Sequence, residues 1–252
     1  MAEHGHSCGG GCGGCGSKQD APAVPEIIAL HPQSRAGYTL GICSGSGGTG
    51  KSLITGILAA ELHKAGRRVG ILDADITNPS IPGLFSIPQG VTRGDSGLYP
   101  ALTNSGLKIL SMGLLQEAED EVFTTRGAVM AHIVQNLYSE VIWDELDFLL
   151  IDFPAGVWDV LGFCLHNIKL DGVLNIKTPG KGVASGAKRV HNLLAGAGVP
   201  VLGEVINFSE KAQDATDQLA YDSNLLEAAD WGQIEALPPI YLKKTLETLL
   251  NL

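Results

Sequence analysis

The chain has 252 residues, enough to bury a full core under any soluble fold, and its length suits one large domain or two small ones. Lys and Arg total 17 against 27 Asp and Glu, and the formal charge of −10 speaks against a broad footprint for nucleic-acid phosphates. No apolar run reaches the roughly 18 to 20 residues of a membrane span, and the opening Met1-Ala2-Glu3-His4-Gly5-His6 lacks the basic and apolar regions of a secretory signal. The expected setting is therefore cytoplasmic, with neither membrane nor nucleic acid as a partner.

The first 25 residues hold seven glycines, three cysteines and two histidines with almost no apolar periodicity, and they read as a flexible Cys/Gly-rich tail. From about residue 36 to residue 252 short apolar runs alternate with helical stretches. That is how a mostly parallel sheet with crossover helices on both faces appears in sequence, so a single α/β domain is expected there. The first strand, Tyr38 to Cys43, runs into a glycine-rich loop and then a helix carrying Leu53, Ile54, Ile57, Leu58 and Leu62. Gly66 stops that helix, with Lys64 and Arg67 near its negative end. Val69 to Leu72 is the second strand, closing on Asp73-Ala74-Asp75. Between Ile81 and Leu115 Pro and Gly interrupt every pattern, and a hairpin about Asn104-Ser105-Gly106 is the one element expected. Phe148 to Ile151 is a buried strand ending on Asp152. Val173 to Ile176 and Val201 to Ile206 are two more, separated by a helix from Gly182 to Ala197. In the last twelve residues Leu242, Leu246, Leu249 and Leu250 recur at helical spacing. Only Lys243 and Lys244 are basic there, so packing on the sheet is favoured over a membrane surface.

The most informative segment is Gly45-Ser46-Gly47-Gly48-Thr49-Gly50-Lys51-Ser52, a full G-x-x-x-x-G-K-[ST] phosphate loop between a strand and a helix. Glycines let backbone N–H groups turn inward around phosphate oxygens, and the helix start presents its positive end. Lys51 can then reach the β- and γ-phosphates of a nucleoside triphosphate, and the Ser52 hydroxyl can ligate Mg²⁺. Asp152, at the end of an apolar strand, suits the second acid on the Mg²⁺ side. Asp73 and Asp75 fall on opposite sides of the neighbouring strand end, so one can face the γ-phosphate while the other caps the next segment. Asp75 is the expected water-orienting group.

Taken together, these residues resemble the Mrp/ApbC family of iron–sulfur cluster carriers, within the MinD/ParA class of P-loop ATPases. The resemblance runs from Tyr38 to Asn207. It rests on Gly45 to Ser52, on Ile71-Leu72-Asp73-Ala74-Asp75-Ile76 with Pro79-Ser80-Ile81-Pro82, and on Trp143-Asp144-Glu145-Leu146-Asp147. It continues through Ile151-Asp152-Phe153-Pro154-Ala155-Gly156-x-x-Asp159, Lys177-Thr178-Pro179 and the segment from Pro200 to Asn207. It implies an ATP-dependent homodimer that serves client iron–sulfur apoproteins, with Asp75 and Asp159 in two nucleotide-sensing switches. It also implies Asn207 near the adenine and Pro238 closing the base pocket. Three departures are plain. Ser46 stands where the class usually carries a second lysine, no Cys follows Cys164 where the family usually has a Cys-x2-Cys pair, and the middle of the Pro154-to-Asp159 switch is bulkier than usual.

Cys8-x3-Cys12-x2-Cys15 lies in an almost pure glycine background that lets three thiolates converge, which suits a [4Fe–4S] cluster. With His4 or His6 the same residues would suit tetrahedral Zn²⁺. Cys43, inside the first strand, and Cys164, among Val160, Leu161, Phe163 and Leu165, read as small core residues. The function these readings favour is slow ATP hydrolysis coupled to iron–sulfur cluster assembly or transfer. The alternatives are a nickel- or zinc-inserting NTPase and a ParA-like positioning ATPase without metal chemistry.

Overall fold

In the computed structural model, residues 27–252 are described except 89, 116–127, 157, 181–182 and 212–214. The chain begins with β1 (Arg35–Ser44), α1 (Lys51–Lys64) and β2 (Val69–Asp73). A small antiparallel ribbon follows, β3 (Thr92–Gly94) with β4 (Gly97–Tyr99), then β5 (Ala101–Leu102) and β6 (Lys108–Ser111). The rest is α2 (Ala128–Glu140), β7 (Glu145–Asp152), α3 (Trp158–Asn167), β8 (Gly172–Lys177), α4 (Val183–Ala197), β9 (Val201–Ile206), β10 (Asp217–Gln218), α5 (Ser223–Asp230) and α6 (Lys243–Leu250).

Eight strands form one sheet in the order β10-β9-β8-β1-β7-β2-β6-β5, parallel except where β5 turns back on β6. That hairpin is the one expected about Asn104-Ser105-Gly106, with Gly106 at φ +99°. β1 and the strands on either side of it are buried on both faces, which is why they read as unbroken apolar runs. Neighbouring residues serve opposite cores. Leu40, Ile42, Ile71 and Leu150 pack beneath α1, α5 and α6, while Leu72, Leu149 and Ile151 pack beneath α2, α3 and α4. Cys43 and Cys164 lie inside the second core, as expected, and burial pushes both thiols up to about 12.

The ordered fold reaches further back than residue 36. Ile28 bridges to Ile168. The Ser34 hydroxyl donates to the Val141 carbonyl and accepts the Trp143 N–H. Proline and polar residues between these anchors hide them in the sequence. The carboxy-terminal helix packs on the protein, with Leu242 and Leu249 almost fully buried. Among the described residues no helix is long and apolar enough to cross a membrane.

Candidate nucleotide site

Parallel strands in an open α/β sheet leave a crevice at their carboxyl ends, and the strand order here places it around the end of β1. The loop from Gly45 to Gly50 leaves β1 there and enters α1. Gly48 and Gly50 have φ of +73° and +75°, a left-handed backbone that other residues adopt only with strain. A Cβ at Gly47 or Gly48 would meet nothing within 4 Å, so the loop is open on that side. Its back is closely supported. A Cβ at Gly45 would lie 2.3 Å from the Gly186 carbonyl carbon at the start of α4, and one at Gly50 would lie 2.3 Å from the Asn207 side-chain nitrogen.

The loop's charged residue is already engaged. Lys51, 5% exposed, places Nζ 2.6 Å from Oδ2 of the fully buried Asp152 at the end of β7. The Ser52 hydroxyl donates to the same oxygen at 2.6 Å, and the Thr55 hydroxyl donates to Oδ1 at 2.7 Å. Ser52 and Asp152 thus present hard oxygen donors side by side, a set that fits Mg²⁺. Thr55 was not anticipated; its only signal is its place one turn after Lys51, on the helix face toward β7.

Asp73 sits directly across β2 and β7 from Asp152. Burial first, and then the charge of Asp152, push its carboxyl up to about 7, against the opposing effects of Ser111, the Asp75 N–H and Lys51. Its oxygens accept the Asp75 N–H at 3.1 Å, the Ile81 N–H at 3.3 Å and the Ser111 hydroxyl at 3.0 Å. Asp73 therefore ties the following segment to the strand end. Asp75 is half-buried and accepts from the Thr77 hydroxyl and the Asn78 N–H. Asp159 is exposed in the first turn of α3, on the segment that leaves the end of β7.

Asn207 is brought to the loop, but by a contact the sequence does not announce. Its amide donates to the Thr49 carbonyl at 3.0 Å, and its Oδ1 accepts the Phe208 N–H at 3.0 Å. Pro238 carries one contact of its own, its carbonyl accepting the Ile240 N–H at 3.0 Å. The preceding carbonyl, that of Leu237, accepts from Lys64 in the last turn of α1. Helix rise puts that turn roughly 20 Å from the loop. Cys8, Cys12 and Cys15 lie outside the described residues. Among the described residues no three His, Cys, Asp or Glu are grouped to hold a metal.

With the loop, its lysine and the Asp152 strand in place, residues 36–238 match the family pattern described as "NUBPL iron-transfer P-loop NTPase", of the ParA type. The chain belongs to the NUBPL iron-transfer P-loop NTPase family. A protein of Clostridium perfringens named "iron-sulfur cluster carrier protein" is 34% identical over 205 residues, covering 78% of this chain and 70% of the relative. One of Methanocaldococcus jannaschii with the same name is 32% identical over 210 residues, 80% of this chain and 72% of the relative. Among solved structures, a nucleotide-binding protein from Archaeoglobus fulgidus in complex with ADP aligns at a TM-score of 0.66 and 29% identity. It covers 81% of this chain and 90% of that one. The Pyrococcus furiosus cell division ATPase MinD shares the fold, with a TM-score of 0.61 at 19% identity over 85% of this chain and 97% of that one.

Proposed function

We propose that this NUBPL-family NTPase binds and hydrolyses ATP and uses the nucleotide to switch a homodimer that carries an iron–sulfur cluster to client apoproteins in the cytoplasm. The observation that carries the ATPase part is the convergence of Lys51 and Ser52 on Asp152, each 2.6 Å from its Oδ2, at the mouth of an open glycine loop. Family membership and the relatives' names support the carrier part.

Binding begins with an exchange of partners at Lys51. Its ammonium leaves the Asp152 carboxylate for phosphate oxygens, while the loop's N–H groups and the α1 terminus stabilise the remaining charge. Ser52 directly, and Asp152 indirectly, would hold Mg²⁺, which would supply neutralisation of the phosphate charge. Asp75 orients the attacking water and Asp159 reports the γ-phosphate to the dimer interface. Ser46, in place of a lysine, leaves the partner's phosphates without a cation from this position, which suits slow turnover. The cluster is cargo, and Cys8, Cys12 and Cys15 are the thiolates proposed to hold it.

Two measurements test this reading. Lys51→Ala should lower ATP hydrolysis by about 10²-fold or more, and a variant as fast as the parent would sink the ATPase assignment. Anaerobic reconstitution with iron and sulfide should give a stoichiometric cluster in the parent and none in the Cys8/Cys12/Cys15→Ser variant. Equal iron and equal visible absorbance in the two would remove the tail from the carrier role.

A further inference from the structure

Three groups of α1 close on one carboxylate. Lys51 Nζ and the Ser52 hydroxyl each lie 2.6 Å from Oδ2 of Asp152, and the Thr55 hydroxyl lies 2.7 Å from Oδ1. We infer that Thr55 is the residue that keeps Asp152 aimed at the metal position while nucleotide is bound. The inference rests on the nucleotide reading above and adds to it a positioning residue.

Helical spacing puts the three on one face, because Thr55 follows Ser52 by three residues and Lys51 by four. Thr55 and Asp152 are both wholly buried, and Thr55 stands in a helix whose other buried positions are mostly apolar. A buried hydroxyl costs free energy unless it is bonded, so its partner matters. One hydroxyl has one proton to give. The Lys51 carbonyl, one turn back, is 3.1 Å away, and Asp152 Oδ1 is nearer at 2.7 Å. Bonds to charged acceptors are the shorter and stronger ones, so the proton goes to Asp152.

Nucleotide binding sorts the three groups. Lys51 is drawn to phosphate oxygens and Ser52 to the metal, and both then loosen their hold on Oδ2. Thr55, a turn deeper in the protein, has no second demand on its hydroxyl. It is the contact from α1 that the ligand leaves in place. Asp73 makes that contact necessary, since it lies directly across from Asp152 on the neighbouring strand and like charges push apart. Asp73 is itself tied down by the Asp75 and Ile81 N–H groups and the Ser111 hydroxyl. With Lys51 gone, Thr55 keeps Oδ1 turned to the helix and so leaves Oδ2 facing the site. Groups that orient a metal-binding carboxylate in this way commonly govern metal affinity by 10- to 100-fold.

The test titrates Mn²⁺, as the probe for the metal, into the full chain saturated with ADP, reading free Mn²⁺ by electron paramagnetic resonance. Calorimetry in chelator gives the metal-free ADP affinity alongside. Thr55→Val and Thr55→Ala should bind Mn²⁺ about tenfold more weakly and keep the parent's ADP affinity in chelator. Thr55→Ser, which retains the hydroxyl, should restore Mn²⁺ binding. On an Asp152→Asn background, Thr55→Val should add no further loss, as expected of a residue that acts through Asp152. Mn²⁺ affinity unchanged in both Thr55→Val and Thr55→Ala overturns the proposal. So does an equal loss of ADP affinity in chelator, which would make Thr55 a support for the loop, and so does a full further loss on the Asp152→Asn background. A parent chain that binds neither ADP nor Mn²⁺ is a different failure, since it overturns the nucleotide reading itself.

Discussion

Lys51 and Asp152 form an ion pair that is almost wholly out of solvent, and the pair is best understood with the third charge beside it, Asp73. Removing one member of a buried pair leaves the other uncompensated, at about 3–5 kcal/mol. Lys51→Ala should therefore lower the urea midpoint of the nucleotide-free protein as well as its activity. Asp73 adds a pH dependence whose sign follows from its raised carboxyl. The folded state binds that proton more tightly than the unfolded state, so the associated stability is complete below about pH 4, the unfolded value. It is lost as pH rises through about 7. Urea midpoints of the nucleotide-free protein in chelator, taken from pH 5 to pH 8, should fall with pH, and Asp73→Asn should flatten that slope. A slope unchanged by the substitution would show that Asp73 is not the titrating group. Cys43 and Cys164, held near 12 by burial, carry almost no thiolate at neutral pH. Neither should react with iodoacetamide in the native protein, a result that peptide mass spectrometry reads directly.

At the scale of elements, α1 is the organising piece. It begins where Gly50 turns left-handed and buries eleven of its fourteen residues. One of the eleven is Glu61, 3% exposed, whose carboxylate accepts the N–H groups of Tyr241 and Leu242 and so anchors the entry to α6. Glu61→Ala would strand those two donors at about 1–3 kcal/mol. Hydrogen exchange should show protection lost first at residues 241–246, and uniform loss across the fold would contradict this anchoring role. The loop and α4 meet through Gly45 and Gly186 with no room for a side chain on either. Gly186→Ala should push the loop off its support, weakening tripolyphosphate and nucleotide equally while α1 and the sheet remain folded by circular dichroism.

At the scale of the molecule, the strand order gathers chemistry from distant parts of the chain onto one edge. β1 contributes the loop, β7 Asp152, β2 Asp73 and β9 the Asn207 turn, and all four strands are parallel, so their carboxyl ends coincide. The same parallel order leaves the amino ends of the strands to structural pairs such as Arg68 with Asp147 and Glu145, exposed contacts of little energetic consequence. The proposed switch acts across this edge. Sedimentation velocity should show the chain shifting toward dimer with ATP and Mg²⁺ and not with ADP, and Lys51→Ala should lose the shift. A single species under all conditions would leave the homodimer without support.

The site's local half was legible in the sequence because its chemistry is written in consecutive residues. Gly45 to Ser52 needs only glycine spacing, a lysine and a hydroxyl, and Asp152 is marked by the apolar run before it. Five strands were legible for a related reason, since burial on both faces leaves no polar interruption. Ser111, which completes the bonding of Asp73 from the end of β6, was missed because Pro and Gly from Ile81 onward broke the periodicity. The amino-terminal anchors at Ile28 and Ser34 were missed because they are single residues. What the sequence by itself determined was the phosphate loop, the class of fold and the family. Only the tertiary structure decided which residues meet that loop. It seated Gly186 and Asn207 behind the loop, set Asp73 against Asp152, and joined the Leu237 carbonyl to Lys64 at the end of α1. Those contacts join residues some 80 to 170 positions apart, and only the packing of helices on a common sheet sets their distance.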